Sequence, residues 1–186
     1  MLRNALIFLA PGFEELEALA PVDVLRRAGV PVTLAGLSPD AHGCVSSSRG
    51  VGVRCDISLQ ELPLSGWELV YFPGGMPGSR NLAAEERCRV AARQTLHGGG
   101  WVCAICAAPL VLDAAGLLED GVEYTCYPGT ERQISHGVYT GKYIQRSGRI
   151  LTACGPAAAL DFSLEILRAT GSASLATQLS EAMGRR

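Results

Sequence analysis

The sequence predicts an α/β protein, a mostly parallel β-sheet with helices on both faces. Three observations carry that expectation. Short apolar runs recur at Asn4–Leu9, Glu68–Phe72 and Trp101–Ile105, each of a length that suits a strand buried on both faces. Stretches of helical length and pattern separate such runs, which is the alternation of a parallel sheet. The first 36 residues already read as a complete βαβ unit.

The elements follow in order. Asn4–Leu9 is a strand broken by Pro11-Gly12, and Glu14–Ala28 is a helix with acids in its first turn, Arg26-Arg27 in its last and Gly29 as its stop. Val30–Gly36 is the second strand. Val45–Asp56 alternates weakly around Arg49-Gly50 and reads as a hairpin. Glu68–Phe72 is a third strand that runs into Pro73-Gly74-Gly75, and Ala83–His97 reads as one helix ended by three glycines. Trp101–Ile105 is the fourth strand, 106–118 reads as helical, and 122–147 is polar, tyrosine-rich strand and loop. Arg149–Cys154 is the last clear strand; Gly155-Pro156 then opens a helix to about Ala169, and a short helix closes the chain. No repeat, low-complexity tract or linker interrupts this, so residues 1–186 are expected to form a single domain. A chain of this length buries roughly 70% of its unfolded surface without staples.

Composition narrows the function classes. Hydrophobic residues make up 48%, yet no apolar run approaches the ~20 residues that cross a bilayer, so neither a membrane span nor a signal peptide is expected. Seven scattered cysteines, an odd number, argue against a secreted disulfide framework and for a reducing, cytoplasmic setting. The net charge of -2 comes with no basic stripe. Arg26-Arg27 and Arg185-Arg186 are isolated pairs that read as solvated helix ends, so no nucleic-acid partner is expected. His and Cys do not cluster at ligand spacing, and no phosphate-binding loop occurs; Thr140-Gly-Lys142 is only a fragment of one.

The stretch VCAICAAP, residues 102–109, carries the most chemistry. A redox Cys103–Cys106 dithiol is disfavoured, because three residues of extended chain span ~10 Å and a disulfide needs Cα atoms within ~7 Å. Strand parity sends Trp101, Cys103 and Ile105 to one face and Val102 and Ala104 to the other, leaving Cys103 as a small core residue. Cys106 stands where the strand stops and a helix is expected to begin. Small residues at 104 and 108 match the form of a nucleophile elbow, and a helix start favours the thiolate. On this local pattern alone, one more buried cysteine remains the competing reading.

Partners for Cys106 are sought in other loops at the carboxyl edge of the sheet. Glu17 is the only charge on the helix stripe Phe13, Glu17, Ala20, Pro21, Val24, Ala28, whereas Glu14 and Glu15 read as solvated acids. A carboxyl in an apolar setting tends to stay protonated and can donate to a thiolate; the alternative is that Glu17 only complements the helix dipole. Pro73-Gly74-Gly75 lacks side chains where backbone N–H groups could approach an oxyanion, and is otherwise a plain turn.

Together, GFEELEA with DVLRRAGV from Gly12 to Val30, FPGG from Phe72, AICAAP from Ala104 and the terminal strand with Gly155-Pro156 resemble the ThiJ/PfpI superfamily, in its DJ-one / YajL branch. The likeness spans almost the whole chain. It implies a flavodoxin-like three-layer sandwich, homodimeric, with Cys106 as elbow nucleophile, Glu17 as its protonated partner and Gly75 as a backbone donor. It also places Arg49 near an arginine that, in relatives, helps form an anion pocket across the dimer interface. Members of this branch are described as cofactor-free glyoxalases and deglycases acting on glyoxals and their protein or nucleotide adducts; redox-sensing and chaperone roles are also ascribed to them. One departure matters. Where many relatives place a histidine before a proline, this chain reads Thr125-Cys126-Tyr127-Pro128, and a tyrosine phenol, with a reference pKa of ~10, is no base near pH 7. A Cys-His protease is therefore disfavoured.

The expected activity is that of a cofactor-free thiol enzyme acting on small dicarbonyls or glycated amines and thiols. Cys106 adds to the carbonyl, Glu17 shuttles protons, and N–H groups at Gly75 and Ala107 hold the oxyanion. Tyr127, Arg49 and Cys126 are expected at the pocket; Cys126 is a candidate resolving thiol, with a small core residue as the favoured alternative, and Cys154 is a weaker candidate. The rival expectation is a redox sensor or chaperone that signals through oxidation of Cys106.

Overall fold

In the computed structural model, which describes residues 2–184, each apolar run read as a strand forms one. Arg185 and Arg186 lie outside the described residues. The chain runs β1 (Ala5–Leu9), α1 (Glu15–Arg27), β2 (Val32–Gly36), β3 (Cys44–Ser46), β4 (Gly52–Arg54), β5 (Ile57–Ser58), β6 (Leu69–Phe72), α2 (Gly78–Ala84), α3 (Glu86–His97) and β7 (Trp101–Ile105). It continues through α4 (Pro109–Ala114), β8 (Glu123–Tyr124), β9 (Val138–Tyr139), β10 (Ile144–Ser147), β11 (Ile150–Ala153), α5 (Ala159–Ala169) and α6 (Ala173–Ala182).

The central sheet has the order β10-β11-β7-β6-β1-β2-β5 and is parallel except for β10 at one edge. Taken in chain order, β2-β1-β6-β7-β11 is the doubly wound 2-1-3-4-5 arrangement, whose topological switch lies between β1 and β6. Strands with side chains buried on both faces need a cover on each. Ile7, Leu9, Tyr71, Cys103 and Ile105 pack in the layer that holds α1 and α5. Leu6, Phe8, Phe72, Val102 and Ala104 pack in the layer of α2 to α4, where the Phe8 and Phe72 rings stack at 4.8 Å. Full burial of a side chain such as Phe162 or Leu25 stabilises by roughly 1.5–3 kcal/mol, which is what holds α5 and α1 to the sheet. Among the described residues no helix is long and apolar enough to cross a membrane.

Two expected helices differ. The span read as one helix from Ala83 starts at Gly78 and breaks at Glu85, whose backbone is extended and whose carboxylate caps α3 by accepting from Arg87 N–H. The span 106–118 holds helix only from Pro109 to Ala114; Cys106–Ala108 is a turn, closed by Ala108 N–H donating to Ile105 C=O at 2.9 Å. Val45–Asp56 contains the expected hairpin as β3 and β4, while β5, β8 and β9, at two residues each, carry too little periodicity to be read in advance.

Candidate functional site

Loops after β1, β6 and β7 converge at the carboxyl edge beside the switch point. The β7 loop begins at Cys106, whose N–H still extends the ladder to Ala153 C=O at 2.9 Å. Its φ then turns to +62°, in the left-handed region that costs a residue with a Cβ ~1–2 kcal/mol. The buried alanines at 104, 107 and 108 let this turn lie flat on the sheet, and Pro109 pre-sets the first helical residue of α4. Strand, strained turn and helix together have the strand–turn–helix form of a nucleophile elbow.

Glu17 comes from the first turn of α1. Its N–H is capped by the Glu14 carboxylate at 2.9 Å, and its own carboxyl is fully buried. Oε2 accepts from Gly74 N–H at 2.7 Å, while Oε1 has no nitrogen or oxygen partner, leaving the Cys106 thiol as the group it can pair with. Tyr71, buried in the same layer, donates its hydroxyl to the Glu17 carbonyl at 2.9 Å and so fixes the residue from below.

Gly74 and Gly75 fit where no other residue would. A Cβ on Gly74 would lie 2.5 Å from both the Cys106 Cβ and Glu17 Oε2, and one on Gly75, at φ +90°, would lie 2.5 Å from Glu14 N. The absence of side chains lets the N–H groups of Gly75 and Ala107 both reach the Cys106 thiol.

Burial raises the Glu17 carboxyl to about 7, against the pull of its Cys106 and Gly74 hydrogen bonds. Burial also pushes the Cys106 thiol up, and an ionised Glu17 pushes it further, with the two backbone N–H groups opposing. The two groups thus share a proton. With Glu17 ionised, Cys106 is a thiol; with the proton on Glu17, the carboxyl turns donor and the N–H groups are left to stabilise a thiolate. Burial raises both groups and neither has a cation beside it, so the pair holds one proton between its two acids. A helix start at Cys106, expected from the sequence, plays no part, since α4 begins three residues later.

Of the other expected residues, Tyr127 flanks the elbow: its N–H donates to Cys106 C=O at 2.9 Å, and its half-exposed ring lies against Gly155. Arg49 is exposed in the β3–β4 turn next to the α1 start, and among the described residues no ion pair engages its guanidinium. Cys126 does not join the pocket. It is fully buried in the layer opposite Cys106, because β8 leads the chain into the α2–α4 side. Glu14 and Glu15 are not free solvated acids either: the first caps α1, and the second accepts from the Ser47 and Ser48 hydroxyls. His136 is exposed and paired with Asp113. Among the described residues no cluster of three His, Cys, Asp or Glu side chains is placed to hold a metal. The sequence reading missed Gly74 as the donor to Glu17 and Tyr71 as its anchor; the PGG turn was the visible signal for the first, and a fully apolar strand hid the second.

Fold and site define a class: a doubly wound α/β sandwich with a cysteine elbow and a buried carboxyl at its switch point. A family profile described as DJ-1/PfpI matches residues 3–169. The chain belongs to the DJ-1/PfpI family. It is 37% identical to the protein dj-1beta of Drosophila melanogaster over 168 residues, covering 89% of this chain and 88% of that one. The crystal structure of Drosophila melanogaster DJ-1beta superposes with a TM-score of 0.91 at 34% identity, covering 98% of each chain. A Caenorhabditis elegans relative, 33% identical over 170 residues and covering 89% of this chain and 87% of its own, is named glutathione-independent glyoxalase DJR-1.2.

Proposed function

We propose that this chain is a cofactor-free, cysteine-dependent glyoxalase of the deglycase type, acting on methylglyoxal or glyoxal and on their adducts with amines and thiols. The observation that carries this is the left-handed Cys106, with its sulfur between two backbone N–H groups and a buried carboxyl raised to about 7. The glyoxalase named among the relatives supports the reaction type.

The Cys106 thiolate adds to the aldehyde carbon of methylglyoxal, and the N–H groups of Gly75 and Ala107 hold the developing alkoxide. Glu17 protonates that oxygen to give a hemithioacetal. As carboxylate, it then takes the proton from the former aldehyde carbon and returns one to the adjacent carbon, leaving a lactyl thioester. Water hydrolyses the thioester, frees lactate and restores the Cys106 thiol. The sum is one water added per dicarbonyl, with no external oxidant or reductant. A pKa near neutrality suits a group that both gives and takes a proton.

The same reading makes the protein a homodimer. Leu16, Leu19, Val51 and Leu160 line an apolar groove of about 460 Å³ with three of these side chains well exposed, an arrangement a second copy would cover. Glu15 lines the groove, and the exposed Arg49, two residues before Val51, has its backbone N–H against the Glu15 carboxylate, so each copy would carry a guanidinium beside the seam. The activity is tested by incubating the reduced protein with methylglyoxal without glutathione and measuring hydroxy acid. Lactate formation that Cys106→Ser and Glu17→Ala each abolish supports the assignment; no lactate, or turnover unchanged in both variants, overturns it.

A further inference from the structure

We propose that Cys154 is a resolving thiol for Cys106, so that hydroperoxide converts the pair to a Cys106–Cys154 disulfide that reversibly closes the site. The inference rests on the reading of Cys106 as a reactive thiol and adds how that thiol is protected.

Register carries it. Ile105 pairs with Ala153 across β7 and β11, and Cys106 N–H donates to Ala153 C=O at 2.9 Å. In a parallel ladder that bond places Cys154 directly beside Cys106. Neighbouring strands lie ~4.8 Å apart, inside the ~4.4–6.8 Å between Cα atoms that a disulfide spans. Cys154 is fixed there from its other side, its N–H donating to Tyr143 C=O at 3.0 Å. Both side chains pack into the α1–α5 layer, and Cys154 is only partly buried. The charge of an ionised Glu17 raises both thiols, in keeping with their place on the same side of the sheet.

The other cysteines lack this placement. Cys103 is three extended residues back along β7, ~10 Å away. Cys88 and Cys126 are buried in the opposite layer, and Cys44 and Cys55 belong to the β3–β4 hairpin region.

The chemistry balances with a hydroperoxide as oxidant. The Cys106 thiolate attacks one peroxide oxygen; the S–O bond forms, the O–O bond breaks, and the departing hydroxide takes a proton from Glu17 to leave as water. Cys106 is then a sulfenic acid. Cys154 gives its proton to the Glu17 carboxylate and attacks the sulfur; the S–S bond forms, the S–O bond breaks, and the departing hydroxide takes that proton from Glu17 to leave as water. Two thiols and one peroxide give one disulfide and two waters. A small dithiol reverses this by exchange. The competing fate of the sulfenic acid, further oxidation to a sulfinate, is not reversed by dithiols.

The experiment uses the full reduced chain, treated with about two equivalents of hydrogen peroxide, enough for a sulfinate as well as a disulfide, and quenched with iodoacetamide. Intact mass and non-reducing peptide mapping follow, with fragmentation that separates Cys103 from Cys106. Expected are the loss of two hydrogens, a cross-link between residues 106 and 154, and lost lactate formation that dithiothreitol restores. Cys154→Ser should turn over methylglyoxal at the wild-type rate when reduced, form no cross-link, gain two oxygens on Cys106 and fail to recover. Two oxygens on Cys106 in the wild type without a cross-link, or a bond to any other cysteine, overturns the pairing while leaving Cys106 reactive. A 106–154 cross-link in a protein that makes no lactate supports the pairing and defeats the enzymatic reading. If neither peroxide nor iodoacetamide modifies Cys106, both fall.

Discussion

Replacing Glu17 by Gln isolates the group on which the site depends. In the folded protein the carboxyl titrates at about 7, against an ordinary value of 4.5. The folded state therefore binds the proton more tightly than the unfolded chain. The stability tied to that proton is full below pH 4.5 and is lost as pH rises through about 7. The difference amounts to roughly 3 kcal/mol, a large share of the ~5–15 kcal/mol by which domains are stable. Gln keeps an acceptor for Gly74 N–H and turns an NH₂ donor toward the sulfur, so it imitates the protonated acid at every pH. Guanidinium unfolding followed by tryptophan fluorescence should therefore find wild type and Glu17→Gln close at pH 5, and the variant ahead by about 3 kcal/mol at pH 8. The acids held low by backbone N–H groups or arginines, Asp40, Glu68 and Glu86, do not confuse the window. Their unfolded values are 3.8 to 4.5, and the stability they bring is lost only as pH falls below that range. Parallel profiles for the two proteins from pH 5 to 8 would refute the buried, proton-holding carboxyl.

Gly74→Ala drives a Cβ to 2.5 Å from both the Cys106 Cβ and Glu17 Oε2 and to 2.9 Å from Ile105 C=O, so unfolding should show a loss of about 2–3 kcal/mol, with activity abolished. At position 106, with φ +62°, Gly should be more stable than Ala by about 1 kcal/mol, the reverse of their order in a helix or strand interior; thermal unfolding of the two variants decides it. Leu16→Glu puts a charge in the apolar groove and should turn the proposed dimer into a monomer by light scattering, with the unfolding midpoint of the monomer no longer dependent on protein concentration.

What could be read from the chain was what local chemistry dictates. Strand alternation at 101–105 placed Cys103 and Ile105 on one face and Val102 and Ala104 on the other, and the two layers divide them that way. The position of Glu17 as the one charge on an apolar stripe pointed to its burial, because a helix face is a local property. The break at Glu85 was invisible, since AAEER contains none of the usual stop residues and the carboxylate that caps α3 is the same residue that interrupts the helix. Cys126 is the core residue that one of its two readings expected and not a pocket thiol, because neighbours in sequence across a turn can face opposite layers: its backbone runs beside the elbow and its side chain packs in the α2–α4 layer.

Ionisation at Cys106 was the step no local pattern could supply. A helix start would favour the thiolate whatever lay around it, but α4 starts at Pro109 and is six residues long. What surrounds the sulfur is burial, which favours the thiol, and two backbone donors, which favour the thiolate. These oppose each other, so the balance falls to where the shared proton sits. That depends on Glu17, held by Gly74 N–H from β6 and by Tyr71 from beneath. In the proposed enzyme the reactivity of the elbow is thus set by contacts among the first turn of α1, the loop after β6 and the turn after β7. Removing the Glu17 proton at high pH should cost the site its donor to the sulfur as well as stability, and a fall in thiol alkylation rate at Cys106 in Glu17→Ala, at fixed pH, would show that the carboxyl and not the turn governs it.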